Sequence, residues 1–137
     1  MGTTSVAADR GGFTLIEMVI ALAIIAILMA VSLPSYEEQM VQGRRSDGTT
    51  ALTIFSQRME RYFLENGSYS GATTSIYKST SDNEYYLLSV TTTGESYQLL
   101  ATATGIQAGD AVCGNLTLNE KGERGITGSG SAIDCWH

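Results

Sequence analysis

The chain contains few of the residues from which active sites and metal centres are usually built. Its 137 residues include one histidine, His137, and two cysteines, Cys113 and Cys135. No other residues at metal-ligand spacing accompany the cysteines. Catalysis needs acids, bases or nucleophiles that converge on one place, and this sequence offers no candidate set. We therefore predict that the protein is not an enzyme and has no cofactor or metal.

Basic residues are also scarce, at 8 Lys and Arg against 14 Asp and Glu, for a formal charge of −6. A chain of this charge has no global attraction for nucleic acid or for anionic lipid. A nucleic-acid-binding module remains an alternative, and its candidate phosphate contacts are Arg44, Arg45, Lys78, Lys121 and Arg124. Because these five residues form no dense basic patch in the sequence, scattered solvated charge is the favoured interpretation.

Charge is missing altogether between Glu17 and Glu37, and residues 13–33 are almost wholly apolar. A helix of that length covers roughly 30 Å, the thickness of a bilayer's hydrocarbon core. A cleaved secretory signal peptide would have a basic start, a shorter apolar run and a small-x-small cleavage site after it. Here the run is too long for a signal peptide, and the segment that follows it, Ser35-Tyr36-Glu37-Glu38, is a poor cleavage site. The pattern predicts a single membrane-spanning helix.

Glu17 is an acid inside this apolar run. Such residues are expensive in a bilayer and are usually functional, although Glu17 could also reach the interface of a plain signal-anchor. Orientation is weakly encoded, because Arg10 precedes the run while Arg44 and Arg45 follow it, and the basic count alone slightly favours the wrong orientation. The short segment before the run is nevertheless easier to keep in the cytoplasm than the long segment after it.

From residue 36 to about Asn66 the sequence remains helical in pattern but becomes amphipathic. Gly43 and Gly48 lower the local helix propensity by about 1 kcal/mol each and indicate a flexible stretch. Asn66-Gly67 predicts the end of the helix. The predicted buried stripe has 3-4 spacing and consists of Ala51, Leu52, Phe55, Met59, Tyr62 and Phe63, with Gln57, Arg58, Glu60 and Arg61 on the other faces.

Three strand-like runs follow, at residues 85–90, 96–103 and 112–118, separated by turn-forming residues. Short connections predict an antiparallel meander, and the polar segment 68–83 predicts an irregular loop between helix and sheet. The predicted fold class is therefore α+β, a long N-terminal helix packed on an antiparallel sheet.

The two cysteines lie close together near the end of the chain. A structural disulfide in an oxidising compartment is the natural interpretation, and two free buried thiols are the alternative. A bond between Cys113 and Cys135 would stabilise the fold by about 3 kcal/mol on a chain-entropy estimate.

The motif Gly12-Phe13-Thr14-Leu15-Ile16-Glu17, with the apolar run and Pro34-Ser35-Tyr36 after it, resembles the N-terminal signature of type IV pilins. The resemblance implies cleavage between Gly12 and Phe13 by a prepilin peptidase on the cytoplasmic side, followed by N-methylation of Phe13. Glu17 falls at the family's acidic assembly position, where it could pair with the Phe13 amine of a neighbouring subunit. Burying either charge alone would be costly. Pro34 matches the family's helix-kinking proline.

The C-terminal region, with Cys113 and Cys135 around a Gly-rich loop, resembles the disulfide-closed region of type IVa pilins, most closely PilE-type minor pilins. The implied organisation is a leader at 1–12, a transmembrane and assembly helix at 13–35, an amphipathic helix at 36–66 and a β-sheet head at 67–137. The disulfide-bounded loop is 113–135.

The resemblance implies a structural subunit of a type IV pilus, a minor pilin that helps to initiate assembly and serves adhesion, twitching motility or DNA uptake. Its partners would be other pilins, the prepilin peptidase and the inner-membrane assembly platform. It would span the inner membrane once with its head in the periplasm, and would be extracellular after assembly. The alternatives are a DNA-receptor pilin for competence and a type II secretion pseudopilin, against which the terminal disulfide loop argues.

Overall fold

The computed structural model describes Gly2 and residues 11–136. Most of the predicted leader, including Arg10, lies outside the described residues, as does His137. The chain divides into two units, Met1–Glu37 and Glu38–His137, and each is described by itself.

One helix, α1, runs from Leu15 to Asn66 and contributes to both units. It ends at Asn66, where the sequence predicted an end, and Gly67 follows with a left-handed φ of 68°. Pro34 lies inside α1, and helical residues continue on both sides of it. A kink at Pro34 stays a prediction. The part of α1 before Pro34 is long and apolar enough to cross a membrane, by length and composition.

In the second unit, the amphipathic part of α1 packs its apolar stripe into the core of the head. Ala51, Leu52, Phe55 and Met59 are all buried, at 2% exposure or less. The predicted stripe is confirmed at these positions, and Tyr62 and Phe63 are partly buried at its end. The predicted polar faces, including Arg58 and Arg61, are exposed.

The sheet of the head has four strands in the order β1-β2-β3-β4, all antiparallel. The strands are β1 (Tyr86–Thr92), β2 (Tyr97–Ala103), β3 (Leu116–Asn119) and β4 (Arg124–Ile126). The predicted meander is confirmed. Alternate residues turn inward to the helix, and the buried ones are Tyr86, Leu88, Tyr97, Leu99, Ala101, Leu116 and Leu118.

The third predicted strand began too early. Residues 112–115 form a turn and β3 starts only at Leu116. The Asp110 carboxylate accepts hydrogen bonds from the backbone N–H groups of Val112 and Cys113, and Gly114 has a left-handed φ of 61°. These features hold the backbone out of an extended conformation. Strand β4 was missed because three residues, Arg-Gly-Ile, are too short to carry an alternation pattern.

The interpretation of Gly48 as part of a flexible stretch was wrong. Gly48 is buried, and a Cβ built on it would lie 2.8 Å from the Tyr86 ring and 2.9 Å from a Leu116 methyl group. The missing side chain lets the helix approach the sheet closely. Gly43 has no atoms within 4 Å of the corresponding position, so it has no such packing role.

The segment between helix and sheet is irregular, as predicted, but it protects a sheet edge. It contains a short 3-10 helix at Thr74–Ile76 and a bridge between Thr80 and Leu87. The N–H of Leu88 donates to Ser79 O at 2.8 Å, and that of Ser81 donates to Tyr86 O at 2.9 Å. These bonds satisfy backbone groups of the edge strand β1 that would otherwise be open to pairing with another chain.

Candidate functional site

The predicted cleavage motif lies in the open. Residues 11–14 precede α1 and are exposed, and Phe13 is 77% exposed. A Cβ on Gly12 would meet nothing within 4 Å, and Gly12 has no positive φ. The fold therefore gives no internal reason for a glycine at this position, in contrast to Gly48. Cleavage after Gly12, with close backbone approach by a peptidase as the reason for the glycine, stays a prediction.

Glu17 has a local partner that the sequence analysis missed. The Thr14 N–H donates to Glu17 Oε2 at 3.4 Å, and the Glu17 N–H donates to Thr14 Oγ1 at 3.3 Å. This reciprocal pair is a capping box, which satisfies two free N–H groups at the start of α1. The Thr-x-x-Glu spacing at residues 14–17 was the signal that could have revealed it. Glu17 therefore starts its own helix as well as occupying the predicted assembly position.

The apolar part of α1 that follows is exposed in the part of the chain that the structure describes. All residues from Leu15 to Leu33 are exposed, and the large apolar ones among them are 49–85% exposed. A soluble monomer rarely shows an apolar surface of this extent, so a lipid or protein environment must cover it. The Ser32 hydroxyl lies in this apolar segment and donates a hydrogen bond to Leu28 O at 2.7 Å, so it does not carry the free-energy cost of an unsatisfied polar group.

At the other end of the chain the predicted disulfide is present. Cys113 and Cys135 are bonded with their Cα atoms 5.8 Å apart, and both are buried. Inside the loop, residues 128–131 (Gly-Ser-Gly-Ser) pack tightly on the turn before β3. The N–H groups of Gly128 and Gly130 donate to Cys113 O at 3.0 Å and to Val112 O at 2.8 Å. A Cβ at either glycine would collide with Val112, so this tract is specified by packing.

Asp110 connects this loop to α1. Its carboxylate accepts from Arg45 Nε at 2.6 Å and Nη2 at 2.8 Å, and from Gln107 Nε2 at 3.1 Å, in addition to the two backbone N–H groups of the turn. The hydrogen bond from Arg45 is the main reason that the pKa of Asp110 lies below its usual value. The same bond raises the pKa of Arg45. No local pattern in the sequence indicates this pair, because its members are separated by 65 residues.

A second carboxylate, that of Glu60, binds two tyrosines near the C-terminal end of α1. Its Oε1 accepts from the hydroxyls of Tyr69 at 3.0 Å and Tyr97 at 3.2 Å. Burial, with help from this carboxylate, raises the pKa of Tyr69 to about 12 and also raises that of Tyr97. Both tyrosines therefore stay protonated donors at physiological pH.

The five basic residues considered as phosphate contacts fall into different environments. Arg45 was a wrong candidate, because its side chain is 13% exposed and paired with Asp110. Lys78 pairs with Asp82, and the Arg44 guanidinium lies 5.7 Å from the Tyr85 ring centroid. Lys121 and Arg124 are exposed and have no acidic side chain as a salt-bridge partner within residues 11–136.

Comparison with known proteins identifies the family. The profile described as "Prokaryotic N-terminal methylation motif" matches residues 8–33, and that described as "Type IV minor pilin ComP, DNA uptake sequence receptor" matches residues 34–117. The chain belongs to the type IV minor pilin family. The resemblance seen in the sequence is thus confirmed, although the matching minor-pilin profile is that of ComP.

Individual relatives agree with this assignment. The pilin is 36% identical over 70 residues to a fimbrial protein of Neisseria meningitidis; the match covers 51% of this chain and 41% of that protein. The solved type IV pilin of Shewanella oneidensis is 34% identical, with a TM-score of 0.50, covering 61% of this chain and 89% of that one. The non-core minor pilin PilV of N. meningitidis, at 23% identity, shares the fold, with a TM-score of 0.57 over 68% of this chain and 92% of its own.

Proposed function

We propose that this minor pilin is cleaved between Gly12 and Phe13, methylated on the Phe13 amine and assembled into a type IV pilus. Before assembly, residues 13–33 hold it in the inner membrane as a single-pass protein with its head in the periplasm. The observation that carries the proposal is the exposed apolar surface of α1 directly after the cleavage motif. A bilayer covers that surface in the precursor, and the helices of neighbouring pilins cover it in the filament.

The proposal assigns no catalytic role to the pilin. Its partners are the prepilin peptidase, the inner-membrane assembly platform and other pilins. As a minor subunit it helps to initiate assembly of pili that serve adhesion and twitching motility. The proteins to which it is similar have names that describe pilus subunits.

Processing is tested first. Replacing Gly12 with Leu should block leader removal, since a bulky side chain keeps the peptidase from the backbone. The matched control is Gly11→Leu, because Gly11 is equally open but does not flank the scissile bond. Mass spectrometry of membrane-extracted protein gives the N-terminus. A wild-type chain that starts at any residue other than Phe13 would refute the proposed cleavage.

Assembly is tested at Glu17, where capping and charge pairing must be separated. Glu17→Gln keeps a side chain that can complete the capping box but removes the charge, whereas Glu17→Val removes both. If Glu17 neutralises the Phe13 amine of a neighbour, both variants should be cleaved normally yet be lost from sheared pili. If its role is only to cap α1, Glu17→Gln should enter pili as well as the wild type. Protein in the inner membrane and in sheared pili is measured by immunoblot.

Binding of DNA for uptake is a second candidate function, favoured by the profile match over residues 34–117. Of the five basic candidates, Lys121 and Arg124 are the exposed ones without a carboxylate side chain as partner among residues 11–136. A double variant, Lys121→Gln with Arg124→Gln, should reduce DNA retention by purified pili, measured per copy of this pilin in them, and flatten its dependence on salt, since each phosphate contact releases a counterion. Arg58→Gln with Arg61→Gln is the charge-matched control. Equal retention by both pairs would exclude specific contacts from Lys121 and Arg124.

A further inference from the structure

A shallow depression lies on the head, beside the amphipathic part of α1. Its volume is about 220 Å³, which is below the range of 300–1,000 Å³ typical of small-molecule sites. It therefore suits a single side chain better than a whole ligand. Four of its lining residues come from α1 and two from the C-terminal region: Thr49, Thr50, Thr53, Ile54, Arg124 and Trp136.

Arg124 is the charged residue of the depression, and it is held in place. Its guanidinium lies 5.3 Å from the Trp136 ring centroid, and Nη1 donates to Trp136 O at 3.4 Å. Trp136 is itself fixed, since it is 7% exposed, donates from Nε1 to Gly125 O at 3.1 Å and follows the disulfide-bonded Cys135. Stacking on an aromatic ring orients a guanidinium without neutralising it.

Arg124 forms no salt bridge with a side chain of residues 11–136. Arg45, Arg61 and Lys78 each have a carboxylate partner, whereas no acidic side chain among residues 11–136 forms a salt bridge with Arg124. A guanidinium offers a planar fork of donors that matches a carboxylate bidentately. An Arg that is oriented at a surface depression and has no carboxylate side chain as partner among residues 11–136 is complementary to an acidic group of another chain.

The threonines add one more donor. The hydroxyls of Thr49 and Thr53 donate to carbonyls of their own helix, at 3.3 Å to Ser46 O and 2.7 Å to Thr49 O. The exposed Thr50 hydroxyl has no hydrogen bond within residues 11–136. The depression therefore presents the Arg124 fork and the Thr50 O–H to an incoming acceptor.

We propose that this depression receives an Asp or Glu side chain of a neighbouring pilin subunit, whose carboxylate pairs with Arg124 and accepts a hydrogen bond from Thr50. The inference rests on the proposed assembly into a pilus. Nucleic acid draws its affinity from several neutralised phosphates, while this depression offers one cation on a chain of net charge −6. One guanidinium matches one carboxylate, and such a pair fixes the register between acidic subunits that otherwise repel each other.

The occupant is identified by photo-crosslinking of the full-length chain in pilus-producing cells. A photoreactive benzophenone amino acid replaces Thr50, and in a matched strain it replaces Leu64, which is 84% exposed on the same helix but outside the depression. After irradiation, sheared pili are digested and the crosslinked peptides are sequenced by mass spectrometry. We expect the residue-50 probe to give an adduct with a pilin peptide that contains Asp or Glu. An adduct with nucleic acid or with a protein other than a pilin, or no adduct in pili that contain the variant, would overturn the proposal.

The Arg124 contact is tested by substitution. Arg124→Gln should reduce entry of the pilin into sheared pili several-fold, while its level in the inner membrane stays unchanged and its disulfide stays intact. Arg124→Lys should retain part of the wild-type entry into pili. Arg58→Gln removes an exposed helical Arg that has no salt bridge within the described residues and should enter pili normally. Normal entry of Arg124→Gln would overturn this inference alone. Absence of the wild-type chain from pili would instead overturn the proposed function. If Arg124→Gln fails to fold, the crosslinking experiment at residue 50 alone tests the proposed contact.

Discussion

Two glycines of the same helix should respond in opposite directions to the same substitution. In Gly43→Ala the new methyl group meets open space, so the variant gains the full difference in helix propensity, about 1 kcal/mol. In Gly48→Ala the methyl group would lie 2.8 Å from the Tyr86 ring and 2.9 Å from Leu116, both of which are 0% exposed. Neither neighbour is the free end of a flexible surface chain, so the core must shift.

Overpacking of a well-packed core costs about 1–3 kcal/mol. At Gly48 this cost opposes the same propensity gain of about 1 kcal/mol, so we expect a net destabilisation of about 1 kcal/mol or somewhat more. The two variants should thus differ by about 2 kcal/mol, which corresponds to roughly 8–16 °C in the melting temperature of a head of this size.

Trp136 makes the measurement specific. It is the single tryptophan of the chain and is buried in the head, so its fluorescence reports unfolding of the head in detergent-solubilised full-length protein. Thermal and denaturant unfolding are compared for the wild type, Gly43→Ala and Gly48→Ala. Equal stabilisation by both alanines would refute the reasoning, since it would mean that Gly48 is not needed for close packing between α1 and the sheet.

Two further predictions concern the C-terminal region. Cys113→Ser should lower the stability of the head by about 3 kcal/mol, and Cys113→Ser with Cys135→Ser should lower it by the same amount, because both remove one loop closure; additive losses in the thermal unfolding of these variants would contradict this. Asp110→Asn should cost about 3 kcal/mol, because it leaves the largely buried Arg45 without its charge partner. The pKa of Asp110 is lowered in the fold. The contribution of its charge to the stability of the head is therefore complete above pH 3.8, the ordinary pKa, and is lost as the pH falls through the lower pKa of the folded state. Acid unfolding of Asp110→Asn should therefore be less steep than that of the wild type, and identical acid profiles would show that this carboxylate is not pH-coupled.

The elements that sequence reasoning could predict are those with long, regular patterns. The stripe from Ala51 to Met59 spans more than two helical turns, and β1 and β2 each hold seven residues, so periodicity was sufficient to place them. Strand β4 has three residues, and the turn at 112–115 depends on the Asp110 side chain, which bonds N–H groups two and three positions downstream, so neither leaves a periodic signal.

Long-range pairs account for the rest. Arg45 looked like a solvated cation in the sequence because its partner, Asp110, is 65 residues away. The packing of residues 128–131 has no local signal either, because the surface that specifies these glycines, at Val112, becomes adjacent only after folding. In both cases the local sequence was compatible with several roles, and the tertiary contact selected one of them.

Under the proposed function, Glu17 serves two states of this pilin, the monomer and the filament. In the monomer its carboxylate accepts from the Thr14 N–H at 3.4 Å, a distance that is long for a strong hydrogen bond. A weak internal contact costs little to give up, so the same carboxylate can turn to a positive charge when another subunit supplies one. A cationic amine would bring a charged donor to a carboxylate whose present donor is a neutral N–H group, so under the proposed function the exchange favours assembly. Because Gln can keep the first role but cannot perform the second, the pilus content of Glu17→Gln measures how much of the drive toward assembly depends on the charge itself.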